Sequence, residues 1–141
     1  MNLVQFHNAD RVLNLKNKRK LKYFIPIIFN DSTKNLNTIN YIFCSDEYLL
    51  GINKEFLQHD YFTDILTFDL SEDKNAIIGE IYISIDRVKE NALMIGKTYV
   101  EEIHRVIFHG ALHLCGYKDK KPKDIITMRN VEEFYLTQFF N

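Results

Sequence analysis

The segment Tyr99–Leu114 (YVEEIHRVIFHGALHL) constrains the fold more than any other. It reads as one long helix, acidic in its first turn and almost wholly apolar in its second half. A helix with so little polar surface has to be enclosed by other elements, so it belongs at the centre of the molecule. Gly116 follows and can end it in a left-handed conformation that residues carrying a Cβ resist. The chain has 141 residues, enough for one hydrophobic core and short for two, so residues 1–141 are read as a single domain.

Around this centre the pattern alternates between strand and helix without a regular βαβ repeat. Residues 3–7 predict a short opening strand, and Lys16 to Phe29 a helix whose end is disturbed by Pro26. Asn37 to Ser45 alternates and is rich in β-formers, which predicts a strand. Asp46 is placed as the cap of a helix over Glu47 to Leu57, with Leu49, Leu50, Ile52, Asn53 and Phe56 facing inward. Asp64 to Leu70 and Ile77 to Ile85 are further strands, joined in hairpin fashion by the polar residues 71–75. Asp86 is placed as the cap of a helix that runs to about Met94 and stops at Gly96. Asp124 to Phe139 forms a closing helix. The expectation is an α+β fold, a small mixed sheet packed against several helices.

Composition narrows the function classes. With 46% hydrophobic and 26% charged residues the chain is globular rather than disordered. A net charge of −1 excludes a protein that grips nucleic acid by overall charge. Cys44 and Cys115 are too far apart for a CxxC pair and form no disulfide framework, which suits a reducing compartment. The start MNLVQFHNAD lacks a basic, then apolar, secretory leader, and no apolar run is long enough to span a bilayer. These features predict a cytoplasmic protein with no membrane role.

Chemistry concentrates in His109-Gly-Ala-Leu-His113-Leu-Cys-Gly116-Tyr-Lys-Asp119. Histidines four apart on a helix lie one turn apart on the same face and can reach one ion. After Gly116 the chain can fold back and bring Asp119 to the open side of the pair. Two histidines and a carboxylate form a zinc set that leaves a position for water. The residue after the first histidine is Gly110, where an HExxH metalloprotease carries its general base, so that peptidase mechanism has no base here. The same donor types also make up the facial triad of iron oxygenases.

The segment HGALHLCGYKD resembles the signature of the YbeY family, bacterial metal-dependent endoribonucleases of ribosomal RNA maturation, whose pattern reads HGxLHLxGYDH. Asn53-Lys-Glu-Phe56, Thr63-Asp-Ile-Leu-Thr-Phe68 and Gly79-Glu-Ile-Tyr-Ile-Ser84 resemble the family's other blocks in the expected order. The resemblance implies one Zn²⁺ held by His109, His113 and Asp119. It also implies single-strand-specific cleavage of RNA in maturing the 3′ end of small-subunit rRNA, a part in ribosome quality control, and ribosomal partners. The alternative is a ribosome-assembly or RNA-binding factor whose metal is mainly structural.

Several positions depart from the family pattern. Asp119 stands in place of a third histidine, and Lys118 in place of Asp. An anionic ligand lowers the net charge of the metal centre and its power to acidify water. Leu57 stands where the family often has an arginine thought to serve activity, and Glu80 replaces an aspartate.

Two basic runs remain, Lys16, Lys18, Arg19, Lys20 and Lys22, and Lys118, Lys120, Lys121 and Lys123. Both are candidates to hold phosphates; the first equally suits a solvated helix face, and the second is read as an RNA contact from its place beside the metal ligands. His59 is read as an ordinary loop residue with an alternative as acid or base. His7 and His104 are read as structural, Cys115 as core, and Glu132 and Glu133 as the exposed side of the last helix.

Overall fold

The computed structural model describes residues 3–73 and 75–141. Four strands and five helices follow in the order β1 (Val4–Asn8), α1 (Lys18–Ile28), β2 (Asn35–Cys44), α2 (Asp46–Leu57), β3 (Ile65–Asp69), β4 (Ala76–Ser84), α3 (Ile85–Ile95), α4 (Tyr99–Leu114) and α5 (Pro122–Phe140). The sheet has the order β1-β2-β4-β3. β1 and β4 run parallel to β2, and β3 runs antiparallel to β4, so the sheet is mixed as the sequence predicts. β3 and β4 are neighbours joined by a short connection, as the hairpin reading requires; Lys74, within that connection, lies outside the described residues.

Alternation along the strands decides which face is covered. Ile39, Tyr41 and Phe43 of β2 and Ile77, Ile81 and Ile83 of β4 are fully buried on one face. They meet Ile103, Val106, Ile107, Phe108 and Ala111 of α4, with Leu21 and Ile25 of α1 and Phe139 of α5 closing the same core. The α4 helix has the predicted bounds and is buried along most of its length. Its start is secured by a capping box, in which Thr98 accepts from the Glu101 N–H and Glu101 accepts from the Thr98 N–H.

Two glycines let the end of α4 lie close on the sheet. A Cβ at Gly110 would stand 2.9 Å from Ile81 Cδ1 and 3.0 Å from Ile65 Cδ1, and one at Gly79 would stand 2.3 Å from Leu114 Cδ1. The last turns of α4 therefore rest directly on β4 and β3, which fixes the height of its side chains above the sheet rim.

Some local expectations change. Ser45 and Ser84, one and two residues earlier than the predicted aspartates Asp46 and Asp86, cap α2 and α3 by accepting from the N–H groups of Tyr48 and Arg87. Serine and aspartate cap equally well, and here the aspartates serve elsewhere: Asp46 accepts from the Ser84 hydroxyl at 2.8 Å and from Arg87 at 2.7 Å, tying the two helix starts together. Phe56 is 62% exposed rather than inward-facing, because α2 covers only the β3–β4 end of the second sheet face. Pro26 is held inside α1, whose last bonds tighten to Phe29 N–H···Pro26 O and Asn30 N–H···Ile27 O at 3.1 Å each. No described helix is long and apolar enough to cross a membrane.

Candidate metal centre

His109 and His113 stand one turn apart on the face of α4 that overhangs β3. Beyond Leu114 the chain turns at Gly116, whose φ of +106° is open to glycine and strained for other residues. The turn is closed by a bond from the Tyr117 N–H to the Leu112 carbonyl at 3.1 Å, a Schellman-type ending. It carries Asp119 back to the two imidazoles. Nε2 of His109 and Nε2 of His113 lie 3.0 Å apart, and Asp119 Oδ2 lies 3.1 Å from the first and 3.3 Å from the second.

What surrounds the rings decides what this triangle can do. His109 Nδ1 is 2.5 Å from Glu132 Oε2, and His113 Nδ1 is 2.9 Å from the Tyr117 carbonyl. Each Nδ1 faces an acceptor and therefore carries the proton, which leaves both Nε2 atoms as lone-pair donors pointing at one another and at a carboxylate. Three electron-pair donors converging without a proton between them repel unless a cation joins them. Tetrahedral zinc with bonds of about 2.0–2.1 Å needs ligand–ligand edges of about 3.3 Å, close to this triangle. The residues fit a small divalent metal, and the fit rests on the donor set and its outer hydrogen bonds.

Glu132 corrects the sequence reading. It was expected on the exposed side of the last helix, yet it is 1% exposed and points at the site. Besides His109 it binds Arg105 at 3.2 Å and Arg129 at 3.3 Å, and Arg105 is held in turn by both oxygens of buried Glu102 at 2.7 Å. Burial raises the Glu132 pKa, but the His109 bond and the neighbouring cations outweigh it and leave the group below its usual value. Such a carboxylate–histidine pair fixes ring orientation and increases donor strength in metal sites. Met128, Glu132, Tyr135 and Phe139 recur at spacings of four, three and four and form the buried stripe of α5, a helical spacing that is a weak signal because other sides of the helix are apolar too.

The triangle forms part of one wall of an open cleft of 640 Å³. Leu57, Tyr61, Thr63 and Asp64 form another part of its wall, the last brought in by the segment before β3. Burial lifts the Asp64 carboxyl above its usual pKa, with partial offset from Arg105 and His109. Asn53, fully buried, donates to the Tyr61 carbonyl at 3.0 Å and so anchors the loop that carries this wall. Lys120 is the lysine that reaches the cleft; Lys118 and Lys121 on the same loop and Lys123 in the first turn of α5 are exposed without lining it. His59 stacks on Tyr61 outside the cleft, and His7 bonds Asn40 on the second sheet face. His104 is buried among Phe108, Phe139 and Phe140, where burial lowers its pKa. Cys115 caps α4, with its thiol directed at the Ile28 carbonyl.

An α+β domain with a candidate metal-binding triad opening on a cleft is the frame of a metallohydrolase, and known proteins narrow that class. Residues 5–140 match the family model for endoribonuclease YbeY. Relatives named Endoribonuclease YbeY include one from Cytophaga hutchinsonii, 47% identical over 132 residues (94% of this chain and 92% of the relative). Another, from Flavobacterium johnsoniae, is 41% identical over 94% of both chains. A solution structure from Thermotoga maritima superposes with a TM-score of 0.65 at 29% identity, covering 96% of this chain and 89% of the other. The chain belongs to the endoribonuclease YbeY family, and RNA is the substrate class that membership brings with it.

Proposed function

We propose that this protein is a zinc-dependent endoribonuclease that cuts single-stranded RNA during ribosomal RNA maturation, including the 3′ end of small-subunit rRNA. In this reading it works in the cytoplasm, on ribosomal particles, and contributes to ribosome quality control. The observation that carries the reading is the triangle of His109 Nε2, His113 Nε2 and Asp119 Oδ2, with both Nδ1 atoms already engaged. Structural zinc sites are closed by a fourth protein ligand, whereas these three donors face a cleft.

When bound, the ion would supply Lewis acidity to a phosphoryl oxygen and to water. The protein's own groups do the rest. Glu132 and the Tyr117 carbonyl hold the two imidazoles in the tautomer that presents Nε2. Asp64, which lines the same cleft and is raised in pKa by burial, is suited to take and return a proton near the scissile phosphate. Lys120 offsets phosphate charge at the mouth. Gly110, packed against Ile81 and Ile65, faces the sheet, so no HExxH-type base belongs at that position.

The test uses an unstructured RNA with purified protein. Cleavage should stop on chelation, return with zinc, and vanish in His113→Ala. Activity that survives in that variant would belong to another nuclease and overturn the reading. Ribosome binding without any metal-dependent turnover would favour the assembly-factor alternative instead.

A further inference from the structure

The cleft at the metal centre leaves the first basic run unused. From Arg11 to Asn30 the chain carries Arg11, Lys16, Lys18, Arg19, Lys20 and Lys22 and no acidic residue, although the whole protein has a net charge of −1. Positive charge is therefore segregated onto α1 and the approach to it. Arg11 is neutralised by Asp86, but the ion pairs among the described residues include none of the five later cations. Lys18 and Lys20 spend their ammonium groups on the carbonyls of Leu13 and Phe139. Arg19 and Lys22 keep their charge free of any carboxylate.

These free cations border a cleft of 530 Å³ between α1 and β1, lined by Leu3, Val4, Lys18, Arg19, Lys22 and Tyr23. Arg19, Lys22 and Tyr23 stand three and four residues apart and so share one face of the helix. Tyr23 is 70% exposed there, a flat aromatic ring with no partner on its outer side. Cations without counter-charges set beside an open aromatic ring are what a single-stranded nucleic acid requires: phosphates for the charges and a base for the ring.

We propose that the α1–β1 cleft is a second RNA-binding site, which holds a stretch of the single-stranded substrate remote from the cut. This rests on the RNA reading above and adds how the substrate is gripped. β1 and β3 are the outer strands of the sheet, with β2 and β4 between them. Strand spacings of about 4.8 Å place the two edges at least about 14 Å apart. A dinucleotide is too short to reach from one edge to the other, whereas a longer strand can occupy both clefts. The site therefore makes affinity depend on substrate length.

The experiment measures binding and cleavage of a labelled unstructured 20-nucleotide RNA and a dinucleotide over a salt series. Wild type is compared with the double variant Arg19→Ala/Lys22→Ala and with Tyr23→Ala, all zinc-loaded and matched for thermal stability. Loss of two phosphate contacts should reduce the slope of log affinity against log salt by about 1.4 for the long RNA. Tyr23→Ala should weaken the long RNA about tenfold with the slope unchanged. Binding and cleavage of the short RNA should stay at wild-type values in every variant. Equal losses for both lengths, or an unchanged slope for the long RNA, would overturn the second site while leaving the nuclease reading intact. Variants that lose binding to phosphatidylserine vesicles but keep full RNA affinity would overturn it in favour of a membrane. Wild type that binds and cuts neither RNA would instead remove the nuclease reading on which the proposal stands.

Discussion

Replacing Glu132 with glutamine keeps the shape of the side chain and removes one buried charge. In the native protein that charge accepts from His109 at 2.5 Å and faces Arg105 and Arg129 at 3.2 and 3.3 Å. The neutral amide is a weaker acceptor and cannot serve the ring and both guanidinium groups together. Outer-shell substitutions of this kind cost about 10–100-fold in metal affinity, or about 1.4–2.7 kcal/mol. The cost to the metal-free fold is set by what remains around Arg105. Its bidentate bond to Glu102, 2.7 Å for each contact, survives, so the substitution leaves no orphaned cation. The loss should therefore fall below the 3–5 kcal/mol of a stripped buried pair, at about 1–3 kcal/mol, or a melting point lower by about 3–10 °C. Because the folded Glu132 pKa is depressed, its stabilisation is fully present above the unfolded value of 4.5 and is lost as pH falls through the folded value. The gap between wild type and variant should thus be constant at neutral pH and close in acid. Competition with a fluorescent zinc chelator and melts of the metal-free proteins measure the two effects separately. A zinc affinity within twofold of wild type would refute the role given to Glu132.

Two other substitutions probe the packing beneath the cleft and its wall. Gly110→Glu supplies the residue that an HExxH peptidase would need, but its Cβ meets Ile81 and Ile65 at 2.9–3.0 Å and its carboxylate is driven into the core. It should lose about 3 kcal/mol or more in urea denaturation and gain no casein hydrolysis; a stable, peptide-cleaving variant would sink the packing account. Asp64→Asn should slow RNA cleavage by about 10²–10⁴-fold and raise the urea midpoint of the metal-free protein. The raised folded pKa means that wild type loses stability as pH rises from 3.8 through the folded value, so the variant's advantage should appear across that window and persist above it. Equal midpoints at pH 3 and pH 7 would contradict it.

The parts legible in sequence are those with strong local causes. The α4 helix was readable end to end because its apolar second half and the Gly116 that follows agree, while the Thr98 cap that secures its start emerged only with the structure. The histidine pair and Asp119 followed from helical spacing and one glycine turn. Glu132 was hidden because α5 has apolar residues on several sides; Ile126, Phe134 and Phe140 are 63%, 55% and 49% exposed, so hydrophobicity alone does not mark the inward stripe. Asp64 was invisible as a site residue for another reason. Its burial arises when β3 joins the sheet edge beside α4, a contact between segments distant in sequence. The serine caps were missed because Ser45-Asp46 offers adjacent caps of equal merit, and only the tie from Asp46 to Ser84 and Arg87 decides between them.

The division of the three candidate metal donors between a helix and a loop has a consequence for exchange kinetics. His109 and His113 are held by Glu132 and the Tyr117 carbonyl, whereas Asp119 sits past the Gly116 turn with its side chain 36% exposed. Loops of this kind move in nanoseconds to microseconds, much faster than a packed helix can open. Were an ion held here, Asp119 would be the donor free to swing away first, and a chelator could take the position it leaves. Metal would then leave at a rate that rises with chelator concentration rather than at the rate of unfolding, and the cell could strip or reload this centre without melting the protein.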